Sequence, residues 1–335
     1  MRIVELDPGA MSKRDMQDWH EMNLAARRVD LPDDPPPAYA HSVRWLMSPD
    51  EGKRRCWFAR GGGGQLLGGV VLTRHGHENA HLAHMDLRVH PDTRRRGVGR
   101  ALFDTVGQAL VGQDVTMLSS FSATAGPGAA FAAALDMTRG HDGLRNVLNT
   151  VDLDPAEVAR LAGGAESRTA GFSLVRWTDH CPDDLIDAYA VAKAGMNDAP
   201  VGHIDTRPVT LTAERIRRSE ETLARWGDRS HVLAVRENAT GVLAGITEVH
   251  VHPDTPLAEQ GDTTVLAPYR GRGFGLWLKA SMLTWLARTQ PHVTRHQTFN
   301  AADNTHMIAV NRRLGYRIAD VWCEWTRRLG QMSES

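Results

Sequence analysis

One arrangement occurs twice in this chain and narrows what it can fold into. The stretches "VHPDTRRRGVGRALFD" (89–104) and "VLAPYRGRGFGLWLK" (265–279) each pass from an apolar segment through a turn crowded with Arg and Gly. Each then enters an apolar repeat. Val98, Leu102, Val106 and Leu110 recur at helical spacing after the first turn. Leu276, Leu283 and Leu286 do so after the second, with Trp277 and Trp285 beside them. The segments ahead, "AHLAHMDLRV" (80–89) and "EQGDTTVLA" (259–267), read as strands. The unit is therefore strand, turn, helix, and its two copies lie a little over half the chain apart.

The flanking pattern extends the repeat. Strand-like runs at 55–62 and 65–74 precede the first copy, joined by glycines at 61–64. Runs at 231–237 and 241–251 precede the second, joined by Asn238-Ala239-Thr240, a hairpin signal. A strand at 293–300, a helix at 304–316 closed by Gly315 and a strand from Arg317 follow. The expected class is α/β, with strands and helices in each half. The expected division is a first domain at 1–153, a linker at 154–171 and a second domain at 172–330. The 335 residues are enough for two domains of ordinary size.

Composition removes several functions. Net charge is −1, so no global field draws nucleic acid or an anionic membrane. Cys56, Cys181 and Cys323 are far apart and fit neither a disulfide framework nor a zinc ribbon. No apolar run approaches the ~18 residues that span a bilayer, and the first residues lack a signal peptide's apolar core. The expectation is a cytoplasmic monomer or homodimer with no nucleic-acid, membrane or metal partner. His250 and His252 share a strand face, but no third ligand stands at a recognisable spacing. The histidines at 75, 77, 81, 84 and 90 are expected at the surface.

A tight turn feeding a helix aims backbone N–H groups at one spot, and glycine lets a ligand approach that backbone closely. Arginines add charge at the rim. The turns therefore suit a diphosphate. Neither fits GxGxxG, since Leu102 and Leu276 stand where a third glycine would be, and no GxxxxGK[ST] occurs.

"RRRGVG" and "RGRGFG" resemble the acetyl-CoA pyrophosphate motif, [Q/R]-x-x-G-x-[G/A], of the Gcn5-related N-acetyltransferases, the GNAT family. The matching residues are Arg94, Gly97 and Gly99, then Arg270, Gly273 and Gly275. The family's later motif, an Asn opening a helix that ends Leu-Gly-aromatic, is matched by Asn304 and Leu314-Gly315-Tyr316. "TFNAADNTHMIAVNRRLGY" (298–316) resembles tandem actinobacterial members of the mycothiol synthase type. The resemblance implies two tandem folds, each a twisted mixed sheet flanked by helices, with two central strands splayed to admit the pantetheine arm of acetyl-CoA.

It also implies site residues. Main chain at Val265 and Leu266 would pair with the pantetheine. The turn Arg270, Gly271, Arg272, Gly273, Phe274 and Gly275 would hold the pyrophosphate, and Asn300 and Asn304 would lie near the thioester. In the first half Val89, Arg94, Arg95, Gly97, Val98 and Gly99 take the corresponding places. The late motif is eroded there: counting back from Leu135, Ala125 stands for Asn, and Asp136 and Met137 stand for Gly and the aromatic. That half keeps a turn able to take CoA, and catalysis is expected in the second.

Acetyl transfer to an amine needs a base, an oxyanion donor and an exit for the thiolate. Many family members carry a carboxylate eleven residues ahead of the [Q/R] position. Here that is Glu259, against Ala83 in the first half. Asp262, whose counterpart is Asp86, and Glu248 on the preceding strand remain alternatives. The position that often holds an acidic Tyr is Asn311, which cannot deliver a proton. The family's acceptor loop would fall in "GMNDAPVGHID" (195–205), making Asn197, Asp198 and His203 candidate acceptor contacts; ordinary turn residues are an equal reading. The expected function is acetyl-CoA-dependent transfer to a primary amine of a small molecule. The alternative is a CoA-binding scaffold whose chemistry has lapsed.

Overall fold

The computed structural model describes residues 1–47, 54–166, 169–198 and 205–329. Among them the chain forms two compact units, one of 1–142, 205–207 and 322–329, the other of 143–198 and 208–321. Among the described residues no helix is long and apolar enough to cross a membrane.

The first unit contains β1 (Arg2–Leu6), α1 (Lys13–Asp30), α2 (Tyr39–Met47), β2 (Arg54–Arg60), β3 (Leu66–Arg74), β4 (Leu82–Val89), α3 (Val98–Leu110), β5 (Met117–Ala123) and α4 (Pro127–Ala134). Its sheet runs β1-β2-β3-β4-β5 and is finished by β12 (Arg317–Arg328), the last strand of the chain. Only β4 and β5 are parallel. Helix α1 starts with a reciprocal capping box between Ser12 and Asp15. The apolar stripe of α3, with Val98, Leu102 and Val106, packs on Ala83, Met85 and Leu118.

The second unit begins within β6 (Thr138–Asn149) and continues through α5 (Pro155–Glu166), β7 (Phe172–Thr178), α6 (Ile186–Ala194), α7 (Ala213–Trp226), β8 (Arg229–Glu237), β9 (Leu243–Val251), β10 (Leu257–Val265), α8 (Phe274–Thr289), β11 (Arg295–Ala301) and α9 (Thr305–Arg313). Its sheet order is β6-β11-β10-β9-β8-β7, with β10 and β11 parallel. Helices α6 and α7 bury one face through Tyr189, Ile216, Val232 and Ile246. Helix α8 buries the other through Phe274, Trp277 and Leu278.

Each unit takes its final strand from the other half of the sequence. Residues 143–149 pair with all of β11, and Trp322–Arg328 pair with β5. Cys323 and Trp325 are buried in the first unit's core, although their sequence follows the second copy of the repeat. This division differs from a cut at 153/154. The stretch 154–171 is also mostly structured. Helix α5 occupies it and lays Val158 and Leu161 on Leu276, Ala280 and Leu283 of α8. Strand β6 escapes sequence reading because "TRGHDGLRNVLN" mixes charges and two glycines with few apolar residues.

Candidate active site

The two turns have the same backbone. Gly271 and Gly273 adopt φ of 79° and 83°. Arg95 and Gly97, their counterparts, adopt 62° and 81°. The first N–H to bond back into α8 is that of Trp277, which donates to Gly273 at 3.1 Å, as Ala101 donates to Gly97 at 3.0 Å. The preceding amides are left facing outward at a helix N-terminus, the condition for binding an anion. A Cβ added at Gly271, Gly273 or Gly97 meets nothing within 4 Å. The turns are therefore open cradles. Arg270 Nε donates to the Val265 carbonyl at 3.0 Å, and Arg94 Nε to Val89 at 3.3 Å. Each guanidinium also meets an aspartate: Asp198, just after α6, at 2.8 Å and Asp30, the last residue of α1, at 2.7 Å.

Beside each cradle the central strands part. β10 and β11 pair only at Leu257–Glu259 with Arg295–Gln297, and β4 and β5 only at Leu82–His84 with Met117–Ser119. Beyond those three pairs lies a wedge with exposed backbone edges, open toward the turn.

The strands bordering the wedges differ in one respect. β4 is in unbroken register with β3, whereas β10 shifts register against β9 between Gln260 and Thr263. Such a bulge inserts an unmatched residue and reverses the side-chain alternation beyond it. Val265 and Ala258 both pack on the α8 side, seven positions apart. Glu259 is thereby turned to the opposite face, toward α6, as is Asp262. Ala83 has no such bulge after it and points into the α3 core. The two positions match by count and not by direction.

On that face the second unit carries a charged network. Lys193 of α6 bridges Glu248 and Asp262, at 2.6 Å to each. Ser230 Oγ donates to Glu248 at 3.0 Å, and His250 lies 3.4 Å from it. Burial opposes the charge on Glu248, but Lys193 and His250 outweigh it and hold the carboxyl well below the usual range. Burial likewise opposes the ammonium of Lys193, and Glu248 leads the groups that hold it well above its ordinary value. Glu259 stands apart from this pair, its side chain 47% exposed. Its carboxylate is 3.6 Å from His252 Nε2 and accepts from Gln297 at 3.4 Å. Gln297 in turn accepts from Arg145 of β6 at 3.0 Å, and Arg145 is anchored on Asp320 at 2.8 Å. The exchanged strand thus helps to orient Glu259. Burial lowers the basicity of His252, yet hydrogen bonds to Asp228 (2.5 Å) and Glu259 lift its pKa to about 9. A small open recess of about 20 Å³ beside the network is lined by Trp177, Tyr189, Lys193, Ser230 and Glu248.

Other expected residues take different places. Asn311 is fully buried and donates to Asn300 Oδ1 at 2.6 Å. Asn304 caps α9 by accepting from Met307 N–H at 3.1 Å. Asn197 is exposed and makes two bonds to the Val209 backbone, at 2.9 and 3.0 Å. His203 lies outside the described residues. The side chains of Phe274 and Val98 are core, so only their backbone belongs to the cradles. The Arg272 guanidinium lies over Phe172 and Tyr269. His84 is not a surface residue: it meets Ser119 Oγ at 3.1 Å, and burial lowers its pKa. Lys193, Asp228 and Arg145 escaped sequence reading, and His252 was weighed only as a metal ligand. Lysine is rare in this chain, which has four, and that rarity was the one available signal for Lys193.

Residues 52–131 match the acetyltransferase (GNAT) domain family. A mycothiol acetyltransferase from Clavibacter sepedonicus is 30% identical over 272 residues, covering 78% of this chain and 81% of that protein. The chain belongs to the GNAT acetyltransferase family. It is similar throughout to a solved tandem GNAT protein from the clavulanic acid biosynthesis pathway, with TM-score 0.81, 30% identity and 98% of each chain covered. A GCN5-related N-acetyltransferase from Sphaerobacter thermophilus shares the fold at TM-score 0.69 and 16% identity, covering 98% of this chain and 96% of that one. The protein is thus a tandem GNAT N-acetyltransferase. The domain match covers the first turn, in the half without the bulge: a GNAT fold and a complete charged face are separable properties.

Proposed function

We propose that the second unit transfers an acetyl group from acetyl-CoA to a primary amine of a small molecule, with Glu259 as the base. The observation that carries this reading is the bulge at 261–262, which turns Glu259 onto the open face beside the wedge. Acetyl-CoA supplies an activated acyl thioester. The open cradle at 271–276 fits its diphosphate, because a Cβ at Gly271 or Gly273 meets no protein atom within 4 Å. Arg270 and Arg272 add charge at its rim, and the β10 edge through Val265 and Leu266 offers backbone partners for the amide arm. Glu259 takes the amine's proton, directly or through water. Lys193 already neutralises Asp262 and Glu248, which suits them to shaping the recess more than to proton transfer. Both similar proteins carry names that concern small molecules, which supports an acceptor of that class. The first unit keeps its cradle, and we assign it CoA binding without turnover.

The lapsed-scaffold alternative draws on Asn311, whose amide is committed to Asn300 and gives no proton. Release of free CoA from acetyl-CoA across a panel of primary amines separates the two. Amine-dependent release that is lost in Glu259→Gln supports transfer. Acetyl-CoA binding with no release by any amine supports the scaffold.

A further inference from the structure

Lys279 is the anomaly of the second unit. It lies in α8 and is 2% exposed. Among the described residues its amine makes no hydrogen bond or ion pair, and its one close partner is the Tyr316 ring, 5.2 Å away. A buried amine is normally paired, and α8 would pack at least as well with Met there. A group retained against packing preference points to a ligand that completes it.

Its surroundings say which part of a ligand that is. β10 and β11 separate just beyond Gln297, so His296 lies in the last paired stretch, beside the closed end of the wedge. His296, Thr298 and Asn300 alternate onto one side of β11. The first two are buried, and the third holds Asn311. Lys279 is on this side, since its charge bears on His296 and its amine lies over Tyr316, whose N–H donates to the Asn311 carbonyl. The position that could have carried an acidic tyrosine is thus an asparagine, and a buried amine lies on the same side of β11.

We propose that Lys279 is the acid that protonates the sulfur of CoA as the thioester breaks. This rests on the acetyl-CoA reading above. The amine nitrogen bonds to the carbonyl carbon, and the carbon–sulfur bond breaks with its electron pair on sulfur. Lys279 gives sulfur a proton, and the nitrogen's surplus proton goes to Glu259. Glu259 then returns a proton to solvent and Lys279 takes one up, leaving amide and CoA thiol. Burial brings the amine to a pKa of about 7, so it can give and regain a proton near neutrality. The titratable groups facing it are His296, which burial and Lys279 together bring to about 4, and Tyr316, which burial raises. Both are neutral at pH 7, and neither competes for the role.

The test uses free CoA and needs no acceptor. A cation beside a thiol lowers its pKa. The ultraviolet absorbance of the thiolate is followed as pH is raised, for CoA bound to wild type, to Lys279→Met and to Lys279→Gln. At pH 7 CoA bound to wild type should show roughly tenfold more thiolate than CoA bound to either variant. Affinity for acetyl-CoA should be unchanged, and Lys279→Met should melt no lower than wild type. Matching titrations in wild type and variants overturn the proposal. So does a fall in melting temperature with an unmoved thiol, which marks the lysine as structural. Failure of wild type to bind CoA at all would instead remove the cofactor reading itself.

Discussion

In the first unit the sheet face across from α3 is closed by packing. Trp19 of α1 stacks on Phe58 at 5.6 Å, and Cys56, Val71 and Met22 complete the cluster. A Cβ at Gly69 would meet Trp19 at 2.9 Å, so little room remains. In the second unit the same face carries Glu248, His250, His252, Glu259, Asp262 and Lys193. Asp86 and Asp262 are shared, and each is paired with a cation: Arg88 on its own strand in one case, Lys193 from a helix in the other. Such a pair occurs also where Trp19, Phe58 and Val71 fill the face, which favours a structural role for both aspartates. The cradle is a local property of a few backbone angles. The charged face needs a bulge, a helix and an exchanged strand to agree, and is the easier of the two to lose.

The sharpest way to break this contrast is at the cradles. Gly273→Val places a Cβ where the diphosphate should lie and forces a β-branched residue to φ 83°. Acetyl-CoA binding and turnover should both vanish. Gly97→Val imposes the same strain on the first unit, yet turnover should stay largely intact. The reverse pattern, by calorimetry and thiol release, would place catalysis in the first unit.

The next largest effect concerns the bulge. Glu259→Gln should lower kcat by roughly 10²–10⁴-fold while sparing acetyl-CoA affinity, the span typical of positioned bases. Deleting Gly261 should do at least as much, because Glu259 then turns toward the α8 core. Asp262→Asn should act mainly on stability, by unpairing Lys193. Full activity in Glu259→Gln together with loss in Asp262→Asn at an unchanged melting temperature would move the base to Asp262.

A third contrast tests the strand exchange. Trp325 is buried in the first unit, where its indole N–H donates to Ser122 at 2.9 Å. Trp325→Ala should destabilise that unit by about 3–5 kcal/mol, the usual range for a buried Trp truncated to Ala. Acetyl-CoA affinity in the second unit should not move. Hydrogen exchange resolves the two, and increased exchange confined to 143–321 would contradict the assignment of β12.

The repeat was legible because it is written locally: left-handed glycines, arginines and helical spacing sit within a few residues of one another. Glu259 was reached by counting, but its direction was not, since a bulge in "EQGDTTV" leaves no mark in the alternation of so polar a strand. The exchange of β6 and β12 was hidden for another reason. "RIADVWCEWTRR" reads as a strand from its β-branched and aromatic residues, but its partner, β5, lies in the other half of the sequence. Periodicity names a strand and not its neighbour.

The smallest effect is a difference in sign between two histidines. His252 has a folded pKa raised from 6.5 to about 9, because Asp228 and Glu259 outweigh burial. Its charged form therefore contributes stability that is complete below about pH 6.5 and is lost as pH rises through about 9. The side chain is nearly enclosed, and a shift of this size corresponds to at most about 3 kcal/mol. His84 in the first unit is shifted the other way by burial, with Asp86 opposing. Its contribution is present above 6.5 and is lost as pH falls through its lowered value. Denaturant unfolding of wild type, His252→Gln and His84→Gln across this range should show two trends. The wild-type advantage over His252→Gln should shrink with rising pH, and its advantage over His84→Gln should shrink with falling pH. If wild type and His252→Gln keep a constant gap from about pH 6.5 to 9, then His252 is not held charged between its two carboxylates, and the orientation of Glu259 must rest on Gln297 and Arg145 alone.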